Sequence, residues 1–323
     1  MTLVDCRLRS LDKLTHLTAL REASFRKNLI PTLQGFEQCT ALRELDLYDN
    51  RLARIEGLDA CTNLRYLDVS FNVIERLENV SHLTKLEELY LIENKLSQLP
   101  PPAQFELCLT KLTLLELGGN RFRSLDSLCL PLLTKLWIGK NKVTSLRDVQ
   151  LPHLRLLSMQ SNRLVSFREL PPFARLEELY LSHNGLESFA ELAPSIARTL
   201  QVLDVGTNRV TSLAALPVLP RLRELWINNN KIQTLEELDI VKAHCGTTLE
   251  CLFLEGNPCA SSTQYRPKLS LMFESLEELD GTPLVRPNWA PKKNADAGGS
   301  GVGDDDDDDG DDDVGGGGGG GGD

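Results

Sequence analysis

An asparagine that recurs at a nearly regular interval restricts the possible folds of this chain more than any other feature of its sequence. The interval between successive members of the series lies between 21 and 27 residues. The series is Asn28, Asn50, Asn72, Asn94, Asn120, Asn141, Asn162, Asn184, Asn208, Asn230 and Asn257. Each member has apolar residues eight, five and three positions before it and two after it, as Leu42, Leu45, Leu47 and Leu52 are placed around Asn50. A period of this length indicates a solenoid of stacked units that share one continuous core.

The apolar pattern before each asparagine predicts one short β-strand in every repeat. Successive side chains of a strand point to opposite faces, so the leucines face the shared core and the residues between them point outward. The eleven repeats predict a parallel sheet on the order of 50 Å long. A second apolar series, such as Ile55 and Leu58, lies on the return leg of each repeat and closes the core. The predicted fold class is an α/β repeat, a curved leucine-rich-repeat solenoid with a parallel concave sheet and 3₁₀ or short helical segments on its convex side.

The asparagine is predicted to stabilise the sharp turn that follows each strand. A buried side-chain amide can bond the backbone groups that such a turn leaves unpaired, so the stacked repeats are expected to form a ladder of amides. Two longer intervals predict insertions on the return legs, at Pro100–Pro102 and at Leu235–Cys245, the second with helical spacing. Because the end of a solenoid needs a cover, the segment from Pro258 to Leu279 is predicted to form a capping helix.

These features predict two regions of different character. Residues 1–290 form the solenoid, with about eleven repeats and a C-terminal cap at 258–285. Residues 291–323 consist mainly of Asp and Gly and have too few apolar side chains to form a core, so we predict a disordered acidic tail. The chain has 35 basic and 46 acidic residues, and the eleven Asp residues after position 293 account for the whole net charge of −11. Residues 1–293 are therefore formally neutral.

The register also predicts which side chains lie on the concave face of the sheet. We define the concave strip as two rows of outward-facing residues, four and six positions before each asparagine from Asn50 onward. The middle row is Asp46, Asp68, Tyr90, Glu116, Trp137, Ser158, Tyr180, Asp204, Trp226 and Phe253. The second row is Glu44, Tyr66, Glu88, Leu114, Lys135, Leu156, Glu178, Val202, Glu224 and Cys251. The strip holds eight acids and a single base, Lys135, so acidic charge is segregated onto this face of a neutral solenoid.

Most of the Trp and Tyr residues fall on the same face. Five of the eight lie in the concave strip, Tyr48 lies in the adjacent outward row, and only Tyr265 and Trp289 lie elsewhere. Strands favour aromatic residues for structural reasons, but six on one exposed face favour a protein-binding surface. Aromatic side chains anchor a protein partner while charges set its orientation. The partner is therefore predicted to present a basic, partly apolar patch.

Other classes of function find little support in the residue pattern. The five histidines fall at different positions of the repeat, and the eight cysteines contain no CxxC pair, so neither a catalytic centre nor a metal site is indicated. Nucleic acid is disfavoured as a partner because its binding depends on Lys and Arg, whereas the concave strip is acidic and contains a single base, Lys135. No apolar stretch approaches the roughly 18 residues that a membrane span requires. We predict a protein that is not an enzyme, needs no cofactor, is a monomer when free, and is located in the nucleus and cytoplasm.

Three longer runs carry a resemblance to a known family. They are LSMQSNRL at Leu157–Leu164, ELYLSHNG at Glu178–Gly185 and LEGNPCASSTQYRPKL at Leu254–Leu269. With the 22-residue repeats, these runs resemble the leucine-rich-repeat regulatory subunit of protein phosphatase 1, over about residues 17–285. The resemblance implies direct binding to the catalytic subunit of the phosphatase and control of its activity, maturation or localisation. It also implies that a small disordered inhibitor protein can accompany the complex.

The resemblance further implies which residues contact the phosphatase. In that family the contacts lie along the concave middle row, and the matching positions here, together with Tyr180 of the same row, form the predicted protein-binding site. The predicted site is Asp68, Tyr90, Glu116, Trp137, Tyr180, Asp204, Glu224, Trp226 and Phe253, of which Glu224 lies in the second row.

Two other kinds of protein contain the same repeat type and remain alternatives to the phosphatase regulatory subunit. One is the acidic leucine-rich nuclear phosphoproteins, which join repeats to an acidic tail and bind histones or chromatin regulators. The other is a scaffold protein of the cilium or the spindle, with no phosphatase involved.

Overall fold

Eleven short parallel strands, one in each repeat, form the centre of the fold. The computed structural model describes residues 1–125 and 128–284. The strands are β1 Glu22–Ser24, β2 Glu44–Asp46, β3 Tyr66–Asp68, β4 Glu88–Tyr90, β5 Leu114–Glu116, β6 Lys135–Trp137, β7 Leu156–Ser158, β8 Glu178–Tyr180, β9 Val202–Asp204, β10 Glu224–Trp226 and β11 Cys251–Phe253. Two further strands follow within the described residues, β12 Glu278–Leu279 and β13 Thr282–Pro283. All thirteen belong to one sheet, in which the strands lie in chain order.

The register of the sheet agrees with the register predicted from the sequence. The central leucines of neighbouring strands are paired, as in Leu45 with Leu67 and Leu225 with Leu252. These leucines have no exposed surface, and they pack in a single hydrophobic core that runs through the described repeats. The predicted leucine-rich-repeat solenoid with a parallel concave sheet is confirmed.

The asparagine ladder is present and has a clear structural cause. The residue before each asparagine of the series has a left-handed backbone, with φ between 49° and 73°, which turns the chain sharply after the strand. The Nδ2 of Asn50 donates to the carbonyl oxygens of Phe25 at 2.9 Å and of Leu47 at 3.0 Å, while its Oδ1 accepts from the backbone N–H of Ile30 at 3.1 Å. One amide therefore bonds the backbone of its own turn and that of the preceding repeat.

The convex side consists of loops, 3₁₀ turns and short helices. The 3₁₀ turns are Asp12–Leu14, Pro102–Gln104, Phe167–Glu169, Leu235–Glu237 and Pro258–Ser261. The helices are α1 Pro194–Ala197, α2 Leu238–Cys245 and α3 Tyr265–Met272. The helical spacing at Leu235–Cys245 thus corresponds to a 3₁₀ turn that leads directly into α2.

The capping segment differs from the predicted helix. Helix α3 ends at Met272, and Leu279 instead lies in β12, which pairs in parallel with β11. The reason is the open edge of the last repeat, whose backbone groups need partners. Asp280, which directly follows β12, bonds this edge: its Oδ1 accepts from the backbone N–H of Leu254 at 2.8 Å and its Oδ2 accepts from the hydroxyl of Tyr265 at 2.7 Å. The predicted acidic tail at 291–323 lies outside the described residues.

A candidate protein-binding surface on the concave sheet

The three-residue strands determine how the concave strip is displayed. In every one of the strands β1 to β11 the middle residue is buried, so the two residues that flank it point to the concave face. Parallel pairing in register places equivalent residues of neighbouring repeats side by side, as in Asp46 beside Asp68 and Trp226 beside Phe253. The structure therefore brings all nine residues of the predicted site onto one face.

Burial differs widely among the nine residues. Tyr90, Glu116, Trp137, Tyr180, Glu224, Trp226 and Phe253 are half-buried. Asp68 is only 6% exposed and Asp204 only 2% exposed. The expectation that all the carboxylates of the strip face solvent is therefore wrong for these two, because their side chains fold back onto the loop that follows their strand.

The buried carboxylates have partners within the protein. Asp68 accepts from the backbone N–H of Ser70 at 2.8 Å, and burial raises its pKa above the ordinary value. Asp204 accepts from the backbone N–H of Gly206 at 2.9 Å and from Nε2 of Gln160, also at 2.9 Å. Each of these two acids therefore bonds the loop that follows its own strand.

A basic side chain compensates the acids at the N-terminal end of the strip. Nη1 of Arg26 lies 3.1 Å from Oδ2 of Asp46 and 3.9 Å from Oδ2 of Asp68, and its guanidinium covers the ring of Tyr48 at 4.2 Å from the centroid. Sequence reasoning missed Arg26 because the concave strip included only the rows four and six positions before each asparagine. Its position two residues before Asn28, in register with Tyr48, is the signal that could have identified it. Arg26 therefore reduces the net negative charge at this end of the strip.

Two tyrosines and a glutamate form the next part of the strip. The rings of Tyr66 and Tyr90 lie 5.3 Å apart, and the hydroxyl of Tyr90 donates to Oε2 of Glu88 at 2.9 Å. Burial raises the pKa of Tyr66 to about 12, and burial together with the hydrogen bond to Glu88 raises the pKa of Tyr90. Both phenols therefore remain neutral hydrogen-bonding groups at physiological pH.

Glu116 lies at the centre of the strip, in register between Tyr90 and Trp137. Its Oε1 accepts from the backbone N–H of Gly118 at 2.8 Å. Burial raises its pKa to about 7, although the hydrogen bond from Gly118 acts in the opposite direction. The carboxyl group therefore titrates near neutrality, and a cationic group of a partner would favour its ionised form.

We expect Glu116→Gln to stabilise the free protein in a pH-dependent way. The pKa of Glu116 in the folded chain lies above the ordinary value of 4.5, so the folded state holds its proton more tightly and loses stability as the pH rises from about 4.5 to about 7. The amide is never ionised and can still accept from Gly118. Urea unfolding should show the variant to be more stable by about 1 kcal/mol at about pH 8, with a much smaller difference at about pH 5.

A matched control for this prediction is Glu187→Gln, which changes an exposed acid outside the strip. Its effect on the free energy of unfolding should be small and alike at both pH values. An equal effect of Glu116→Gln at the two pH values would contradict the raised pKa.

The C-terminal part of the strip is a contiguous aromatic cluster. The rings of Tyr180 and Trp226 lie 6.4 Å apart in an edge-on arrangement, and those of Trp226 and Phe253 lie 5.1 Å apart. The hydroxyl of Tyr180 donates to Oε2 of Glu178 at 2.9 Å. Nε1 of Trp226 is shielded from solvent and has no hydrogen-bond partner. Since buried polar groups are nearly always paired, this unpaired N–H is a feature that packing alone does not explain.

The described residues lack the side-chain groups of a metal site and the long apolar helix of a membrane span. They contain no group of three or more His, Cys, Asp or Glu side chains arranged to hold a metal ion. Among the same residues, every helix is too short or too polar to cross a membrane.

Comparisons with known proteins identify the repeat type. The family model described as "Leucine Rich repeats (2 copies)" matches residues 62–104 and 198–240. No curated protein matches the chain in sequence.

Solved structures are similar to this chain in fold. An internalin from Listeria monocytogenes is 21% identical, with a TM-score of 0.58, over 85% of this chain and 71% of its own. A leucine-rich-repeat protein of Leptospira interrogans is 22% identical, with a TM-score of 0.62, over 83% and 74%. The LRIM1/APL1C complex contains a chain that is 21% identical, with a TM-score of 0.65, over 86% and 51%. At these identities the likeness concerns the fold.

Proposed function

We propose that this chain, whose fold is a leucine-rich-repeat solenoid, is a protein-binding scaffold and a non-catalytic regulatory subunit that binds the catalytic subunit of protein phosphatase 1. The binding surface is the concave strip. The single observation that carries the proposal is the aromatic cluster of Tyr180, Trp226 and Phe253, bordered by Glu178 and Glu224 on the neighbouring row.

The aromatic cluster has the properties of an interface anchor. Its members are half-buried in the free chain, so their exposed parts offer apolar area that is already ordered, and little conformational entropy is lost on binding. Half-buried aromatic residues at the centre of an interface contribute most of the binding energy in many complexes.

Charge supports a basic partner for the same surface. Glu178 and Glu224 flank the aromatic cluster and are half-buried, and no ion pair is recorded for either within the described residues. They are therefore available to pair with Lys or Arg of a partner, which accelerates association and sets orientation.

The resemblance to the phosphatase regulatory subunit supports the choice of partner. The runs Leu157–Leu164 and Glu178–Gly185 each contain residues of the strip and a ladder asparagine, so they combine a structural and a surface signature. The solved LRIM1/APL1C complex supports the more general point that a chain with this fold assembles with another protein. As part of the same proposal, the protein controls activity, maturation or localisation of the phosphatase in the nucleus and cytoplasm, is a monomer when free, and can share the complex with a small disordered inhibitor.

Affinity capture with the full-length chain tests the proposal and separates it from its alternatives. We expect the catalytic subunit of protein phosphatase 1 to be recovered from cell extract and also to bind as a purified protein. Recovery of histones would favour the nuclear phosphoprotein alternative, and recovery of ciliary or spindle proteins alone would favour the scaffold alternative. Deletion of residues 294–323 should leave phosphatase capture intact, because the proposed contacts lie in the repeats.

A further inference from the structure

The position directly after each ladder asparagine carries a second periodic feature, which is basic. We define the basic ridge as the Lys and Arg residues at this position. They are Arg51, Lys95, Arg121, Lys142, Arg163, Arg209 and Lys231. Within the nine repeats from Asn50 to Asn230, only Val73 and Gly185 interrupt the series. Six of the seven side chains are exposed, and Lys95 is half-buried.

The backbone places the ridge residues in one continuous row. The backbone N–H of each ridge residue donates to a carbonyl oxygen in the preceding repeat, that of the residue two positions after the ladder asparagine of that repeat. Arg121 donates to Leu96 at 2.8 Å, Lys142 to Phe122 at 2.9 Å and Arg163 to Val143 at 3.0 Å. Neighbouring members are therefore separated by one repeat, about 5 Å. Arg121, Lys142 and Arg163 follow one another in three successive repeats, so three cations lie within about 10 Å.

The ridge is not neutralised by the protein itself. Lys95 lies 3.6 Å from Glu75, but no ion pair is recorded for the other six residues in the part of the chain that the structure describes. At the opposite edge of the sheet, before the strands, some bases have acids in the next repeat: Arg65 pairs with Glu87 at 2.6 Å and Arg155 with Glu177 at 2.8 Å.

The stacking of like charges has an energetic consequence. Cations at equivalent positions of neighbouring repeats repel and lower stability. The opposite edge shows that this fold accommodates alternating charges. The stability of the fold therefore does not explain the row of bases in the basic ridge. Binding of an anionic partner would explain it.

We propose that the basic ridge binds an extended acidic segment of a partner protein. The ridge from Arg51 to Lys231 is about 40 Å long, which an extended segment of about twelve residues spans. A peptide is favoured over single-stranded nucleic acid because the loops that carry Arg121, Lys142 and Arg163 expose no aromatic side chain on which bases could stack. The ridge is separate from the concave strip, so the inference does not depend on the identity of the concave partner.

Fluorescence anisotropy with the full-length chain tests the inference. The probe is a fluorescein-labelled peptide of about twelve residues that alternates Glu and Ser. A Lys and Ser peptide and an oligothymidylate of similar length are the comparison probes. We expect binding of the acidic peptide alone, weakened severalfold as the salt concentration rises from about 0.05 to about 0.5 M.

The triple variant Arg121→Glu, Lys142→Glu and Arg163→Glu should lower affinity for the acidic peptide at least about tenfold. The matched control is Lys111→Glu, Arg175→Glu and Arg221→Glu, which reverses three exposed bases located before the strands. This control should change affinity by less than about twofold, and circular dichroism should show both variants folded. Absence of binding by the unaltered chain, or an equal loss in the control, would overturn the inference. If the oligothymidylate bound more tightly than the acidic peptide, the ligand of the basic ridge would be nucleic acid and the inference would be wrong.

Discussion

Replacing Glu224 and Trp226 together by alanine is expected to abolish capture of the phosphatase catalytic subunit. The substitution removes the central ring of the aromatic cluster, which contacts both Tyr180 and Phe253, and an acid that borders it. Loss of a central aromatic anchor typically costs about 2 to 4 kcal/mol of binding free energy, which is a weakening of about 30-fold to 1,000-fold. Pulldown with the purified catalytic subunit, followed by titration of the unaltered chain and the variant, measures this loss.

This double variant is expected to be slightly less stable than the unaltered chain. Since Trp226 is half-buried and packs on two rings, its truncation is expected to lower the free energy of unfolding by about 1 kcal/mol. This loss is small enough for the variant to remain folded at the temperature of the pulldown. A thermal unfolding curve of the same sample separates loss of the surface from loss of the fold.

The matched control replaces an acid and an apolar residue outside the strip. Glu187 and Leu107 are both exposed, and Glu187→Ala with Leu107→Ala should leave capture unchanged. Full capture by the Glu224 and Trp226 variant would exclude the C-terminal part of the concave strip as the binding surface. Capture lost in both variants would indicate a general effect on the protein rather than on the interface.

The path of the chain could be predicted from the sequence because it depends on one strong period. Every ladder asparagine needs a left-handed residue before it and a strand five residues earlier, so locating Asn50 also locates Leu45 and the turn at Asp49. Each repeat applies the same constraint again, so an error of one residue in the register would place an entire row on the wrong face. The period therefore predicted β1 to β11 and the residues on the concave face.

The depth of individual side chains could not be predicted in the same way. The register gives the direction in which Asp204 points, but its burial depends on the rotamer that allows it to accept from Gly206 and from Gln160, two repeats away. Similarly, the register does not give the burial of the Trp226 N–H or the edge-on arrangement of its ring against Tyr180. Such contacts join residues of several repeats, and a one-dimensional pattern does not contain them.

The strand β12 at the end of the solenoid could not be predicted for a different reason. Apolar residues at Tyr265, Leu269, Phe273 and Leu276 continue a helical spacing beyond Met272, where helix α3 ends. Pairing with the exposed edge of β11 stabilises an extended chain at Leu279 more than another helical turn would. The helical spacing is a local property of the capping segment, whereas the unpaired edge belongs to β11 in the last repeat.

Replacing Leu225 by alanine is expected to be the most destabilising of the substitutions considered, although its neighbours Glu224 and Trp226 both lie on the concave face. Leu225 has no exposed surface and is paired with Leu203 and Leu252. Truncation of a buried leucine leaves a cavity and costs about 2 to 5 kcal/mol. Urea unfolding followed by circular dichroism measures the loss, and Leu225→Met, which nearly conserves volume, should cost less than about 1.5 kcal/mol.

The comparison between Leu225 and Glu224 tests the register on which the concave strip depends. Glu224→Ala should change the free energy of unfolding by less than about 0.5 kcal/mol, as expected for a polar surface position, while weakening phosphatase capture. Leu225→Ala should retain capture at temperatures where it is folded, because its side chain does not reach the concave face. If instead Glu224→Ala were the more destabilising of the two, adjacent residues would have exchanged faces, and the aromatic cluster would lie in the core rather than on the binding surface.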